Sequence, residues 1–198
     1  MKKELFLDVC LLMLIVIPAF QCHKKNSNPI NPADQLPAPT SSGKNTFGCL
    51  INGKVMIPRR PFGDIVPYLT CTYQYLYNDP ISGYALSVSG TDKADACHFN
   101  SVTLSLDSAD LQVKTYPLGK HVRKGYYANT NAINGCQGPG LQFYYTTEIV
   151  NGELSISFLD RTNQIVSGVF WFDAVLDGGV PGDTMHVREG RFDMHYTQ

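Results

Sequence analysis

Along most of this chain apolar and polar residues alternate with a period of two. The phase is clearest from Ile165 to Leu176, where Val166, Gly168, Phe170, Phe172, Ala174 and Leu176 form one continuous row. Such a row is the mark of a strand with one buried face, and it turns Val169 and Trp171 outward. The next apolar stretch, Thr184 to Tyr196, changes phase: Met185 and Val187 are odd, Phe192 and Met194 even. One extra residue must intervene, and Glu189-Gly190 is the place a bulge favours. Earlier runs alternate in the same way. Cys71, Tyr73, Tyr75 and Tyr77 share a face, as do Tyr84, Leu86 and Val88, and Val102, Leu104 and Leu106. Leu111–Tyr116 and His121–Tyr127 are shorter candidates.

Turn residues punctuate these runs. Asn52-Gly53 separates Phe47–Ile51 from Lys54–Ile57, and Asn151-Gly152 separates Leu141–Val150 from Glu153–Asp160. Asn-Gly favours a type I′ turn, which needs positive φ at both central residues, so two hairpins are expected. Pro58 and Pro61 end the strand after the first hairpin. Asn78-Asp79-Pro80 turns the chain. Asn129 to Gly140, dense in Asn and Gly, reads as a loop. Outside the first residues no run keeps a helical period for ten positions. The expected fold is all-β: a single antiparallel β-sandwich, with a closed calycin-like β-barrel as the alternative.

The amino terminus departs from this pattern. Lys2 and Lys3 precede an apolar run from Val9 to Phe20, followed by Cys22. The run is shorter than the roughly twenty residues that span a bilayer, and its layout is that of a lipoprotein signal peptide. Residues 1–21 are then the leader, and Cys22 is the site of lipidation. The positions before it hold Ala19, Phe20 and Gln21, a departure from the lipobox. A plain secretory signal cut near Ala19, or an uncleaved anchor, is the alternative. Residues 22–46 carry prolines, asparagines and serines and little that is apolar, so they are expected to form a flexible tether. Residues 47–198 form the β domain. The expected location is the cell envelope, at the outer membrane, with the facing side left open.

The formal net charge is -1 and remains so without the leader, which contributes Lys2, Lys3, Glu4 and Asp8. A chain with no basic excess is a poor partner for nucleic acid. After Cys22 four cysteines remain: Cys49, Cys71, Cys97 and Cys136. An even number in an exported chain favours disulfides. Cys71 with Cys97 and Cys49 with Cys136 is the preferred pairing, and buried thiols are the alternative. The spacings fit no zinc pattern.

Two segments resemble a known family. Leu36-Pro37-Ala38-Pro39-Thr40 with Gly43–Val55 is similar to the start of a Bacteroidota lipoprotein family of unknown function. Ile165–Phe172, Gly182-Asp183-Thr184 and Gly190–Met194 resemble the end of the same domain. The resemblance implies an exported, lipid-anchored, mostly β protein and brings no activity, ligand or catalytic residue. It also implies that Met56 replaces an aromatic, that Val169 and Trp171 occupy outward positions usually polar, and that Gly182 stands where a cysteine is frequent.

Little in the chain points to catalysis. His23, His98, His121, His186 and His195 form no metal-ligand spacing, no nucleophile elbow is present, and Asp92, Asp95, Asp107 and Asp110 lack a calcium-loop pattern. No cofactor or metal is expected. The aromatic surface holds more promise. Tyr73, Tyr75 and Tyr77 form a row and Trp171 faces outward, and exposed rings with polar edges suit contact with sugars or peptides. The expectation is a non-enzymatic envelope module that binds a glycan, a peptide or an envelope protein. The alternatives are a hydrolase using strand-borne carboxylates such as Glu148 and Asp160, and a structural accessory or lipid carrier.

Overall fold

The structure is a computed structural model that describes residues 31–76, 83–95, 97–107, 110–119, 126–134, 140–178 and 182–198. The leader with Cys22, the first part of the tether, the turn at Asn78-Asp79-Pro80, Tyr77, His121 and Cys136 lie outside the described residues. The described residues form eleven strands: β1 Thr46–Ile51, β2 Lys54–Met56, β3 Leu69–Leu76, β4 Gly83–Asp95, β5 His98–Leu106, β6 Thr115–Leu118, β7 Tyr126–Asn134, β8 Gln142–Tyr145, β9 Gly152–Asp160, β10 Ile165–Leu176 and β11 Thr184–His195. A 3-10 turn, Pro32–Gln35, precedes them.

The strands form one large antiparallel sheet in the order β2-β1-β11-β10-β8-β7-β5-β4-β3, with β9 also on β10 and β6 on β9. The end strands β2 and β3 do not pair with each other, so the barrel alternative is set aside and the architecture is that of a β-sandwich. Strand β10 divides the sheet into its two arms. Ile165 to Phe172 pair with β9, whereas Val175 and Leu176 pair with β8. Between these pairings the amide of Asp173 donates to the carbonyl of Asn151. The inward row expected on β10 is buried from Val166 to Ala174. It packs in one core with Leu86 and Val88 of β4 and Val102, Leu104 and Leu106 of β5. The two arms meet closely: a side chain at Gly90 of β4 would run into the ring of Phe47 of β1. Beyond β11, Thr197 makes a single parallel bridge to Thr72 of β3.

The first hairpin forms as expected. Asn52 has φ +48° and Gly53 φ +76°, the pair of positive values a type I′ turn requires. The bulge in β11 is also present. Phe170 pairs with Gly190 and Phe172 with Val187, so Arg188 and Glu189 together oppose Trp171. The left-handed residue is Glu189, with φ +54°, rather than the glycine. Gly190 is required for a different reason, since a Cβ there would enter the ring of Phe170.

Three expectations are corrected. Asn151-Gly152 is not a turn. Gly152 begins β9, opposite Phe172, and has no room for a side chain between the Trp171 carbonyl and Phe172. Strands β8 and β9 lie end to end along β10 instead of pairing with each other, so Asn-Gly here marks a close backbone approach at the corner of the sandwich. Asn129 to Asn134 belong to β7 rather than to a loop, because β5 and β8 supply ladders on both sides. Small inward residues, Ala128, Thr130 and Ala132, fill that part of the core. The two short candidates accordingly move to β6 and β7.

The third correction concerns the tether. From Asn31 the chain belongs to the same compact unit as the strands. Leu36 is buried, and residues Thr40 to Lys44 close over the outer face of β10 and β11. Asp193 is the anchor. Its carboxylate accepts from the Thr40 and Ser167 hydroxyls at 2.6 and 2.7 Å and from the amides of Ser42, Gly43 and Lys44 at 2.8 to 3.1 Å. Polar composition alone suggested a free linker, but these donors satisfy a carboxylate that is only 1 % exposed.

The cysteine pairing is also revised. Cys49 and Cys71 are free thiols, buried in the core, which removes both expected pairs. No disulfide joins two of the described cysteines. Cys97 is not a free thiol.

Candidate functional site

The docked segment stops short of covering the whole outer face of β10. Ser167 lies beneath it, whereas Val169 and Trp171, the next two outward positions, remain 48 % and 38 % exposed. A groove of about 510 Å³ opens there, lined by Pro39, Glu153, Val169, Trp171, Arg188 and Arg191 among others. Pro39 forms its wall, and the two apolar side chains form its floor.

Register builds the rest of the site. Across β9 and β10, Glu153 pairs with Trp171 and Ser155 with Val169. Across β10 and β11, Val169 pairs with Arg191, and the bulge sets Arg188 and Glu189 opposite Trp171. The Arg188 guanidinium lies 5.4 Å from the centre of the indole ring, a cation–π contact. It also pairs with Asp173 at 2.6 Å and donates to the carbonyls of Phe172 and Val187. Asp173 in turn meets His186 Nδ1 at 2.7 Å. Burial pushes the Asp173 carboxyl up, but the hydrogen bonds from His186 and Arg188 outweigh it and hold the group below its ordinary value. On the other side of the ring, the indole N–H points to Glu153 Oε2 at 3.4 Å. The indole is thus held between a guanidinium and a carboxylate, with one part of the ring open.

The tyrosine row does not join this site. Tyr73 is 1 % exposed. It stacks on Tyr84 at 5.1 Å and meets the edge of Tyr196 at 5.7 Å, and its hydroxyl accepts from the amide of Leu111. It is a core residue, because the inward face of β3 closes over it. Tyr75 is 42 % exposed and packs edge-on against Tyr84. Among the described residues no tyrosine lines the Trp171 groove. Among the described aromatic candidates, Trp171 is the one that stands in it.

The carboxylates considered for hydrolysis or calcium have other partners. Asp160 accepts from the amides of Thr162 and Asn163 and from Asn163 Nδ2, closing the turn between β9 and β10. Asp92 pairs with Arg59, Asp95 with His98 and Asp110 with Arg161. Among the described residues no three His, Cys, Asp or Glu side chains gather into a cation-holding group.

Sequence reasoning found Trp171 but missed Glu153, Arg188 and Arg191. The signal was incomplete. A turn at Arg161–Gln164 joins two alternating runs, but counting back from it places Leu154 opposite Trp171, and only the register shift between Ser167 and Gly168 brings Glu153 there instead. Pro39 had no such signal, since its place depends on the Asp193 anchor.

Residues 81–194 match a family described as a domain of unknown function, DUF6252. The chain belongs to this family. The match includes every groove residue named above except Pro39, and it includes Asp193 while leaving out the segment Asp193 holds. The carboxy-terminal motifs from Ile165 to Met194 lie inside it, whereas the motifs from Leu36 to Val55 precede it. Comparison with curated proteins and with solved structures returned no match.

Proposed function

We propose that this DUF6252 chain is a cell-envelope binding module, moored through lipid on Cys22, that holds a glycan in the Trp171 groove. The observation that carries the reading is the indole itself. It is a large ring, part exposed on a strand floor, with a carboxylate on one side and a guanidinium on the other. A sugar ring offers an apolar face for stacking and hydroxyls at its rim for charged hydrogen-bonding groups. The leader and Cys22 support export and a mooring at the outer membrane. The resemblance to a Bacteroidota lipoprotein family supports the same compartment.

A glycan array with the full chain tests the binding reading. The expected result is saturable binding to one glycan class, reduced at least tenfold in Trp171→Ala with little change in melting temperature. Binding unchanged by that substitution overturns the reading. Release of shortened products from the bound glycan would favour the hydrolase alternative. Incorporation of a labelled fatty acid, abolished in Cys22→Ala, tests the mooring separately.

A further inference from the structure

The two arginines of the groove differ in one respect. Arg188 is neutralised by Asp173 and spends its Nη1 donors on two carbonyls. Arg191 has no carboxylate within ion-pair distance among the described residues. Its Nη2 donates to the carbonyl of Ala33 at 3.0 Å, and its Nε is buried with no hydrogen-bond partner there. A half-buried guanidinium with its charge unmatched is costly, and a planar anion is the group that best satisfies its fork of donors. Arg191 is fixed in place by the Val169 register and by the docked turn at Ala33, so its geometry is preset.

The acids of the groove are placed elsewhere. Glu153 and Glu189 stand on either side of Trp171, by the β9–β10 register and by the bulge. Neither makes an ion pair among the described residues. An anionic ligand group is therefore repelled from the indole and accepted one step along the strand. That step, from Trp171 to the Val169–Arg191 row, is two residues, or about 7 Å, on the scale of neighbouring sugar rings.

We propose that the groove is read with a polarity: an uncharged sugar ring stacks on Trp171 and the adjoining sugar presents a carboxylate to Arg191, so that the ligand is a uronate-bearing glycan. The inference rests on the glycan reading above and names the substrate class of the same site. With Nε enclosed and one Nη2 donor held by Ala33, the guanidinium binds the carboxylate through Nη1 and the remaining Nη2 N–H, and the flanking glutamates accept hydroxyls of the uncharged ring.

The test uses the full chain and a matched pair of oligosaccharides with one backbone, one bearing uronate and the other with its carboxyl groups reduced to alcohols. The expected result is at least tenfold tighter binding of the uronate form, with the preference weakened by salt. Arg191→Gln is expected to erase the preference, so that the uronate and reduced forms bind within twofold of each other. Arg191→Lys keeps the charge without the fork and is expected to retain part of the preference, which guards against a Gln variant that has lost the Ala33 contact. Equal binding of the two oligosaccharides, or a preference that survives Arg191→Gln, overturns the anionic subsite and leaves the glycan reading intact. Failure of both oligosaccharides to bind, together with array binding unaffected by Trp171→Ala, overturns both.

Discussion

The Asp193 carboxylate accepts the Thr40 hydroxyl at 2.6 Å, across 153 positions of the chain. Four hydrogen bonds to it fasten residues 40–44 over β10 and β11 and place Pro39 at the edge of the groove, and a fifth, from the Ser167 hydroxyl, ties it to β10. Replacing Asp193 with Asn keeps the size but turns amide hydrogens toward amide donors. Leaving one or two buried donors unpaired is expected to cost about 3 kcal/mol. Trypsin supplies a local measurement. Cleavage after Lys44 should be slow in the parent chain and at least tenfold faster in Asp193→Asn, before global unfolding.

The same carboxyl predicts a pH dependence. Burial would raise its pKa, but the Thr40, Ser42, Ser167 and Lys44 donors outweigh burial and hold it far below the ordinary carboxylate range. Between its unfolded value, about 3.9, and its lower folded value, the unfolded chain binds the extra proton. Stability from this group is therefore complete above about pH 4 and falls as acid is added toward the folded pKa. Denaturant melts from pH 5 to pH 2 should show a steeper loss for the parent than for Asp193→Asn.

Glu189 and Gly190 divide the work of the bulge in β11. Glu189 carries the left-handed φ, so Glu189→Gly should be neutral or stabilising by up to about 1 kcal/mol. Gly190 makes room for the Phe170 ring, so Gly190→Ala should cost about 1–3 kcal/mol through overpacking. A Gly190→Ala variant as stable as the parent in chemical denaturation would contradict this division.

The two Asn-Gly pairs separate in the same way. Gly53 needs positive φ, and a Cβ added there would meet no atom within 4 Å. Asparagine tolerates that conformation, so Gly53→Asn should cost about 1 kcal/mol or less. Gly152 has no side-chain space at all, and Gly152→Asn should cost about 3 kcal/mol or more. Thermal melts of the two variants compare them directly.

Cys49 and Cys71 should be silent to thiol reagents in the native protein. Burial pushes both thiols up to about 12, so almost no thiolate is present at neutral pH. Labelling of either residue with iodoacetamide should follow global unfolding, tracked in a denaturant series, and vanish without denaturant.

Much of the fold was legible in the residues. The inward row of β10, the strands around Leu86 and Leu104, the Asn52-Gly53 turn and the phase change in β11 are all local patterns. A period of two and a need for positive φ are properties of a few consecutive residues, so they survive without knowledge of the partner strand. Asn151-Gly152 and Asn129–Asn134 misled because their conformation is set by neighbours. Gly152 faces a backbone from β10, and the asparagines of β7 are held by ladders on both sides.

The site divides along the same line. Its aromatic member was visible as an outward Trp171 on a strand with one buried face. Its charged members were not, because pairing across strands, not adjacency in the chain, brings Glu153, Arg188 and Arg191 around the indole. An all-β body, its strand phases and the bulge that reconciles them follow from local residue patterns. Long-range packing makes Tyr73 core, keeps Cys49 and Cys71 as buried thiols and docks the polar segment before β1. Each of those outcomes depends on burial and on hydrogen bonds between residues far apart in the chain, which no local period encodes.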